Sequence, residues 1–243
     1  MSKQVLTGRI ALVTGGGRGI GRAVALALAE HGARVALAAR SAAELESARA
    51  EIAGKGGDAR AFPADLADPD APRRLVGSVV QAFGGLDILV NNAGAALARP
   101  ISSTTAEDWD RLMAVNARAP FLLCREAVPH LASSGRGRIV NISSVVGYKG
   151  YVNQAAYAAS KHALAGFTKV LAQEVMGSGI RVHLVSPGGV DTEMASAMRP
   201  DLDRPGLTTT AEVADIVFFL LCQEGNAVID EVNIRRPGKS PWI

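Results

Sequence analysis

Short apolar runs separated by amphipathic helical stretches recur along the whole chain, and this alternation restricts the fold more than any other feature. The strand-like runs are RIALV (9–13), RVALAA (34–39), ARAFP (59–63), DILVN (87–91), RIVNIS (138–143), RVHLVS (181–186) and VIDEVNI (228–234). The first six are nearly continuous in apolar character, as a strand must be when both of its faces are covered. Helical stretches fall between them at 20–31, 42–54, 71–83, 105–132, 155–177 and 211–222. Strand followed by helix followed by strand predicts βαβ units and a parallel sheet, hence an α/β fold. The 243 residues hold no repeat, low-complexity tract or linker, so one domain spanning 1–243 is expected.

Composition narrows the classes of function. Hydrophobic residues make up 48% and charged ones 20%, ordinary for a soluble globular chain. The net charge of +3 is spread rather than clustered, which argues against a nucleic-acid partner or a polybasic membrane anchor. MSKQVLTGR at the start lacks the apolar core of a signal peptide. No apolar run reaches the ~18 residues of a membrane span. Cys124 and Cys222 sit in apolar helical patterns with no metal-ligand neighbours, so free thiols, no metal and a reducing, cytoplasmic setting are expected.

The first strand runs into TGGGRGIG, Thr14 to Gly21, and a helix starts at once. A glycine turn lets backbone approach a pyrophosphate, while the helix N-terminus offers free N–H groups and a positive dipole end. Its spacing, Gly15, Gly19, Gly21, is G-xxx-G-x-G rather than the commoner G-x-G-xx-G. At the end of the second strand, where an NAD site carries an acidic residue for the ribose 2′-OH, this chain has Ala39 followed by Arg40. A carboxylate there would repel a 2′-phosphate and a guanidinium can clamp one, with Arg18 of the glycine loop within reach. NADP is therefore expected in preference to NAD.

Asp65 and Leu66 close the third strand, and Asp65 reads either as an adenine-edge contact or as a cap of the helix beyond Pro69. The fourth strand leads into NNAG, where Asn91 and Asn92 can bridge neighbouring strands and Gly94 permits close approach to a ligand. Pro120 falls within the helix expected over 105–132 and cannot donate to the carbonyl of Asn116. Such a kink either packs dry or holds an ordered water. Farther on, Tyr157 and Lys161 stand four apart, on one face of a helix, with Ser144 at the end of the preceding strand. An ammonium beside a phenol favours the phenolate, pulling its pKa down from ~10. A tyrosine tuned in that way serves as an acid–base group. Neither Tyr148 nor Tyr151 has a lysine at that spacing.

With TGGGRGIG, NNAG, Asn116, Ser144, Tyr157-xxx-Lys161 and Pro187-Gly188 in this order, the chain resembles the short-chain dehydrogenase/reductase family over roughly residues 8 to 192. The resemblance implies a Rossmann-type doubly wound sheet of about seven strands in the order 3-2-1-4-5-6-7. It implies Tyr157 as general acid/base, Lys161 as the residue that lowers its pKa and binds the nicotinamide ribose, and Ser144 as the holder of the substrate oxygen. Ser144 rather than Ser143 is chosen because the family's tyrosine follows its serine by thirteen residues. Asn116 would hold a relay water through its carbonyl. The cofactor would rest on Gly15, Arg18, Gly19, Ile20 and Gly21, on Arg40, Asp65 and Leu66, and on Asn92, Ala93 and Gly94. Tyr157, Lys161, Pro187, Gly188, Val190 and Thr192 would complete its site, the last two securing the carboxamide.

Near its end the chain departs from the family. A short polar segment broken by Pro200, Pro205 and Gly206 stands where a substrate lid is expected, around 189–209, and suggests a mobile flap over an open pocket. NIRRPGKSPWI replaces the usual glycine-rich close, so a homodimer or homotetramer is expected without tail-mediated contacts. Arg235, Arg236 and Lys239 read as a solvated tail or a local basic patch. Gln154 and SVVG resemble 3-oxoacyl carrier-protein reductases, but Ser178 replaces their basic docking residue. The resulting expectation is an NADP(H)-dependent oxidoreductase acting on a small carbonyl or secondary alcohol. An NAD-dependent alcohol or polyol dehydrogenase and a non-catalytic redox sensor are the alternatives.

Overall fold

The computed structural model describes residues 4–199 and 204–241. Pro200, in the expected flap, lies outside the described residues, as do the first three and last two positions. Seven parallel strands form one sheet in the order β3-β2-β1-β4-β5-β6-β7. They are β1 (Ile10–Thr14), β2 (Arg34–Ala39), β3 (Asp58–Pro63), β4 (Ile88–Asn91), β5 (Arg138–Ile142), β6 (Arg181–Pro187) and β7 (Glu231–Ile234). Helices α1 (Gly19–Glu30), α2 (Ala42–Gly54) and α3 (Ala71–Phe83) connect the first four strands. Then come α4 (Ala106–Met113), α5 (Ala119–Ser133), α6 (Ala155–Val175), α7 (Glu193–Met198) and α8 (Thr210–Leu221).

Strand side chains alternate between two cores because successive Cβ atoms point to opposite faces. Ala11, Val13, Val35, Leu37, Ile88 and Val90 pack with Val24 and Leu28 of α1 and Val217 and Leu221 of α8. Ile10, Leu12, Ala36, Ala38 and Leu89 face the other way, onto Leu75 and Val79 of α3 and Leu123 and Leu131 of α5. Both faces are thus covered, which is why these strands read as unbroken apolar runs. Short polar signals set several helix starts: Ser41 accepts from the Glu44 N–H at the head of α2, and capping boxes Thr105/Asp108 and Thr209/Glu212 open α4 and α8.

Two expected elements are corrected. The helix over 105–132 is not continuous: one π-helical turn, Ala114–Arg118, separates α4 from α5. Pro120 therefore sits in the first turn of α5, where a missing N–H is tolerated. The last strand begins at Glu231 rather than at 228. Upstream of it, Arg181 takes the carbonyls of Gln223, Glu224, Gly225 and Ala227, and His183 Nδ1 takes that of Ile229. Side chains hold that backbone, so it does not extend the ladder.

The order of strands reverses between β1 and β4, and the carboxyl ends of the strands there open a crevice. In doubly wound sheets this is the position of the ligand site.

Candidate active site

Gly15 turns the chain out of β1 with a φ of 65°, a left-handed conformation that glycine adopts without strain. A Cβ on Gly21 would stand 2.2 Å from the Gly15 carbonyl oxygen and 2.4 Å from Asn92 Nδ2, so the start of α1 packs directly on the turn. No side chain caps this helix and no acidic residue occupies its first turn. Its leading N–H groups and positive dipole end are left to an anion. Asn92 Nδ2 donates to the carbonyls of Thr14 (3.0 Å) and Gly15 (3.4 Å), fastening β4 to the turn as expected. Asn91 behaves differently, donating to the Asn141 side chain at 2.8 Å.

A cavity of about 1530 Å³ runs along these strand ends. Sites for a single small molecule span roughly 300–1,000 Å³, so a dinucleotide and a second molecule fit together. Gly15, Arg18, Gly19, Ile20, Arg40, Asp65, Leu66, Asn92, Ala93 and Gly94 line it at one end. Ser144, Tyr157, Lys161, Pro187, Gly188, Val190 and Thr192 line the other. Gly21 and Asn116 stand behind the wall. The residues present fit a nicotinamide dinucleotide, given the glycine cradle, the uncapped helix and the size of the groove.

At the end of β2, Ala39 offers no carboxylate and Arg40 is exposed on the rim. Arg18, expected within reach of a cofactor 2′-phosphate, is already paired. Its Nη1 donates to Glu193 of α7 at 2.5 Å and lies 4.0 Å from Glu44, tying the glycine turn to α7. Asp65 accepts from the Ala67 N–H at 3.0 Å and does not cap α3, whose N-cap is Asp70.

Tyr157 is buried, with Ser144 near enough to its phenol to lower its pKa. Ser143, by contrast, donates toward the carbonyl of Lys161. The thirteen-residue spacing therefore selected the serine that meets the tyrosine. Burial pushes the Tyr157 pKa up, against a smaller lowering by Ser144. The depression expected from Lys161 is absent because the ammonium points elsewhere, donating to the Ile142 carbonyl at 2.9 Å. Lys161 is itself buried and lowered to about 8 by desolvation. Gly94 lies between the helices: a Cβ there would stand 3.4 Å from Asn116 Oδ1 and 3.9 Å from Lys161 Nζ. Asn116 is fully buried, its amide exchanging hydrogen bonds of 2.8 Å in both directions with Ala95 and donating to Ser160 at 3.0 Å. The side chain is a strut, fully engaged by Ala95 and Ser160.

The Lys161 shift has a measurable consequence. The unfolded side chain titrates near 10.5 and the folded one near 8. Between these values the unfolded chain binds the extra proton, so stability rises with pH across the window and the penalty is complete below it. That gap corresponds to roughly 3 kcal/mol. Denaturant unfolding of the cofactor-free protein, compared with Lys161→Met, should show the difference moving in favour of wild type by about that amount from pH 8 to 10.5. A difference independent of pH would mean that the ammonium is hydrated.

Sequence reasoning missed two lining or supporting groups. Thr14 Oγ receives the N–H groups of Asn92 and Ala93 at 3.0 Å and donates to Val90, locking the two central strand ends together. It is the first letter of the glycine motif and could have been read there. Arg111 and the exposed Tyr148 and Tyr151 line the substrate end. The local basic patch that the sequence allowed for Arg235, Arg236 and Lys239 lines the same cavity, with Arg235 and Lys239 exposed.

A model described as short chain dehydrogenase matches residues 9–203, and the chain belongs to that family of oxidoreductases. It is 35% identical over 235 residues to the 3-oxoacyl-acyl-carrier-protein reductase FabG of Thermotoga maritima, covering 93% of this chain and 96% of that one. Among solved structures, a short chain dehydrogenase from Burkholderia cenocepacia in complex with NADP is 39% identical, with a TM-score of 0.86 over 95% of this chain and 98% of that one. A metagenomic short-chain oxidoreductase, also in complex with NADP, is 36% identical with a TM-score of 0.85, covering 97% and 100%. Among the described residues no helix is long and apolar enough to cross a membrane, and no cluster of potential ligands could hold a metal ion.

Proposed function

We propose that this protein is an NADP(H)-dependent reductase of small carbonyl compounds, with Tyr157 as the general acid/base. The observation that carries the reading is the buried Tyr157 phenol, beside Ser144 and Lys161 on the wall of a cavity large enough for cofactor and substrate. Bound NADPH supplies a hydride to the carbonyl carbon, leaving NADP and an oxygen that needs one proton. Tyr157 gives that proton as the alkoxide develops, and Ser144 holds the oxygen in line. Lys161 would hold the cofactor ribose, and an ammonium held there beside the tyrosine would favour the phenolate, so that the proton would leave readily. The π-turn carbonyl of Asn116, which Pro120 cannot cap, provides a seat for a water that replenishes it. Val190 and Thr192 would hold the carboxamide side of the ring. Ala39 and Arg40 support NADP over NAD, as do the NADP-bound relatives.

A second copy of this chain is the proposed protein partner, in a homodimer or homotetramer. Phe121 of α5 and Val170 of α6 are half exposed and offer an apolar face for it. Buried Cys124 and half-buried Cys222, both unpaired, suit a reducing cytoplasm. The reading is tested by mixing the protein with NADPH and a panel of ketones, quinones and 3-oxoacyl thioesters. Oxidation of NADPH by at least one class is expected; tight NADPH binding without oxidation by any of them would make the protein a cofactor sensor instead.

A further inference from the structure

β7 lies beside β6 with Ile234 in register with Pro187, and the Gly188 N–H donates to the Ile234 carbonyl at 2.8 Å. The chain after Ile234 therefore emerges at the carboxyl edge of the sheet, next to the 187–189 wall. A Cβ on Gly188 would stand 3.9 Å from the Arg235 Cα and 3.8 Å from the side chain of Val145, the residue after Ser144. A Cβ on Gly189 would meet Arg236 Cδ and Nε at 3.7 Å.

Arg235 folds the tail back on itself. Its Nη1 donates to the carbonyls of Arg236 (3.3 Å), Pro237 (3.3 Å) and Lys239 (2.9 Å). The Lys239 N–H closes a turn onto the Arg236 carbonyl at 3.0 Å. Arg236 and Lys239 thus occupy the first and fourth places of one β-turn, whose Cα atoms lie within ~7 Å of each other. Both line the cavity. Arg18 and Arg204, which also line the cavity, are paired with Glu193 and Asp191, whereas among the described residues no carboxylate is paired with Arg236 or Lys239.

The tail leaves the sheet on the far side from the strands that carry Arg40 and the glycine turn. β7 is five strands from β2, where Arg40 stands, and four from β1, which carries the glycine turn. At ~4.8 Å per strand the separations are about 24 and 19 Å. The tail instead borders the end of the cavity that holds Ser144 and Tyr157.

We propose that Arg236 and Lys239 form an anion subsite, and that the substrate is a carbonyl compound bearing an oxyanion, either a carboxylate or a phosphate. This rests on the reductase reading and names its substrate class. A guanidinium and an ammonium at the two ends of one turn suit either group. One charge-assisted hydrogen bond corresponds to roughly ten- to hundredfold in affinity.

The test compares 2-, 3- and 4-oxo acids with their methyl esters, and dihydroxyacetone phosphate with dihydroxyacetone. Turnover with NADPH and calorimetric binding to the protein loaded with NADP are both measured. An anionic member of at least one pair should be favoured about tenfold or more. The R236Q/K239Q double variant should bring that ratio close to one while keeping wild-type NADPH affinity. Preference among the acids identifies a carboxylate and preference for the phosphate identifies a phosphoryl group. Equal binding of charged and neutral members overturns the subsite even if both are reduced, as does a loss of NADPH affinity in the variant. Failure to oxidise NADPH with any compound counts against the reductase reading, and the binding ratio still decides the subsite.

Discussion

Tyr157→Phe should lower kcat for carbonyl reduction by about 10²–10⁴-fold, the usual contribution of a positioned acid–base group. Cofactor affinity should stay close to wild type, since the glycine turn, the uncapped α1 and Lys161 are untouched. The phenol is buried and meets Ser144, so the substitution removes one hydroxyl and leaves the ring packed in its cluster with Leu112, Val146 and Ala156. Stability should change little, because Ser144 retains the Val146 N–H as a partner at 3.4 Å. Stopped-flow measurement of NADPH oxidation, beside fluorescence titration of NADPH binding, separates the two effects. Near-normal turnover would remove Tyr157 from the mechanism. Loss of cofactor binding would instead make its role structural.

Exchanging Ala39 for Asp and Arg40 for Ser in one variant should invert cofactor preference. Arg40 sits exposed on the cavity rim directly after β2, and Ala39 is the last residue of that strand. Removing the guanidinium forfeits one charge-assisted contact with a 2′-phosphate, roughly ten- to hundredfold. The new carboxylate repels that phosphate and accepts from a ribose 2′-OH, so a combined swing of about 10³ in the ratio of kcat/KM for NADPH over NADH is expected. Arg18 bounds the effect. It is held by Glu193 and Glu44 and must leave them to meet a phosphate, so Ala39 and Arg40 should carry most of the discrimination. A variant with unchanged selectivity would transfer the 2′-phosphate contact to Arg18.

Much of this architecture follows from short-range patterns. Apolar runs of strand length alternating with helical stretches are sufficient for a parallel sheet, because only βαβ crossovers cover both of its faces. The glycine turn is equally local, since Gly15, Gly19 and Gly21 meet within one bend. Tyr157 and Lys161 share a face through helical periodicity alone, and Ser144 was selected by the spacing that the family resemblance implies. The break near Pro120 was visible, but its form was not: whether a helix absorbs a proline by a kink or by a π turn depends on how α4 and α5 pack on α6.

By itself, then, the sequence determined the α/β class, the glycine turn and the shared face of Tyr157 and Lys161, which rest on contacts close in the chain or on strict periodicity. Ser144 was picked out by the family resemblance. The tertiary structure alone decided where charges and donors point. Arg18 meets Glu193 across 175 positions, Lys161 turns to Ile142, and the tail bends over the cavity because β7 ends beside β6. Those outcomes depend on which chain ends the sheet order brings together, and pairing across such separations leaves no periodic trace in the residues.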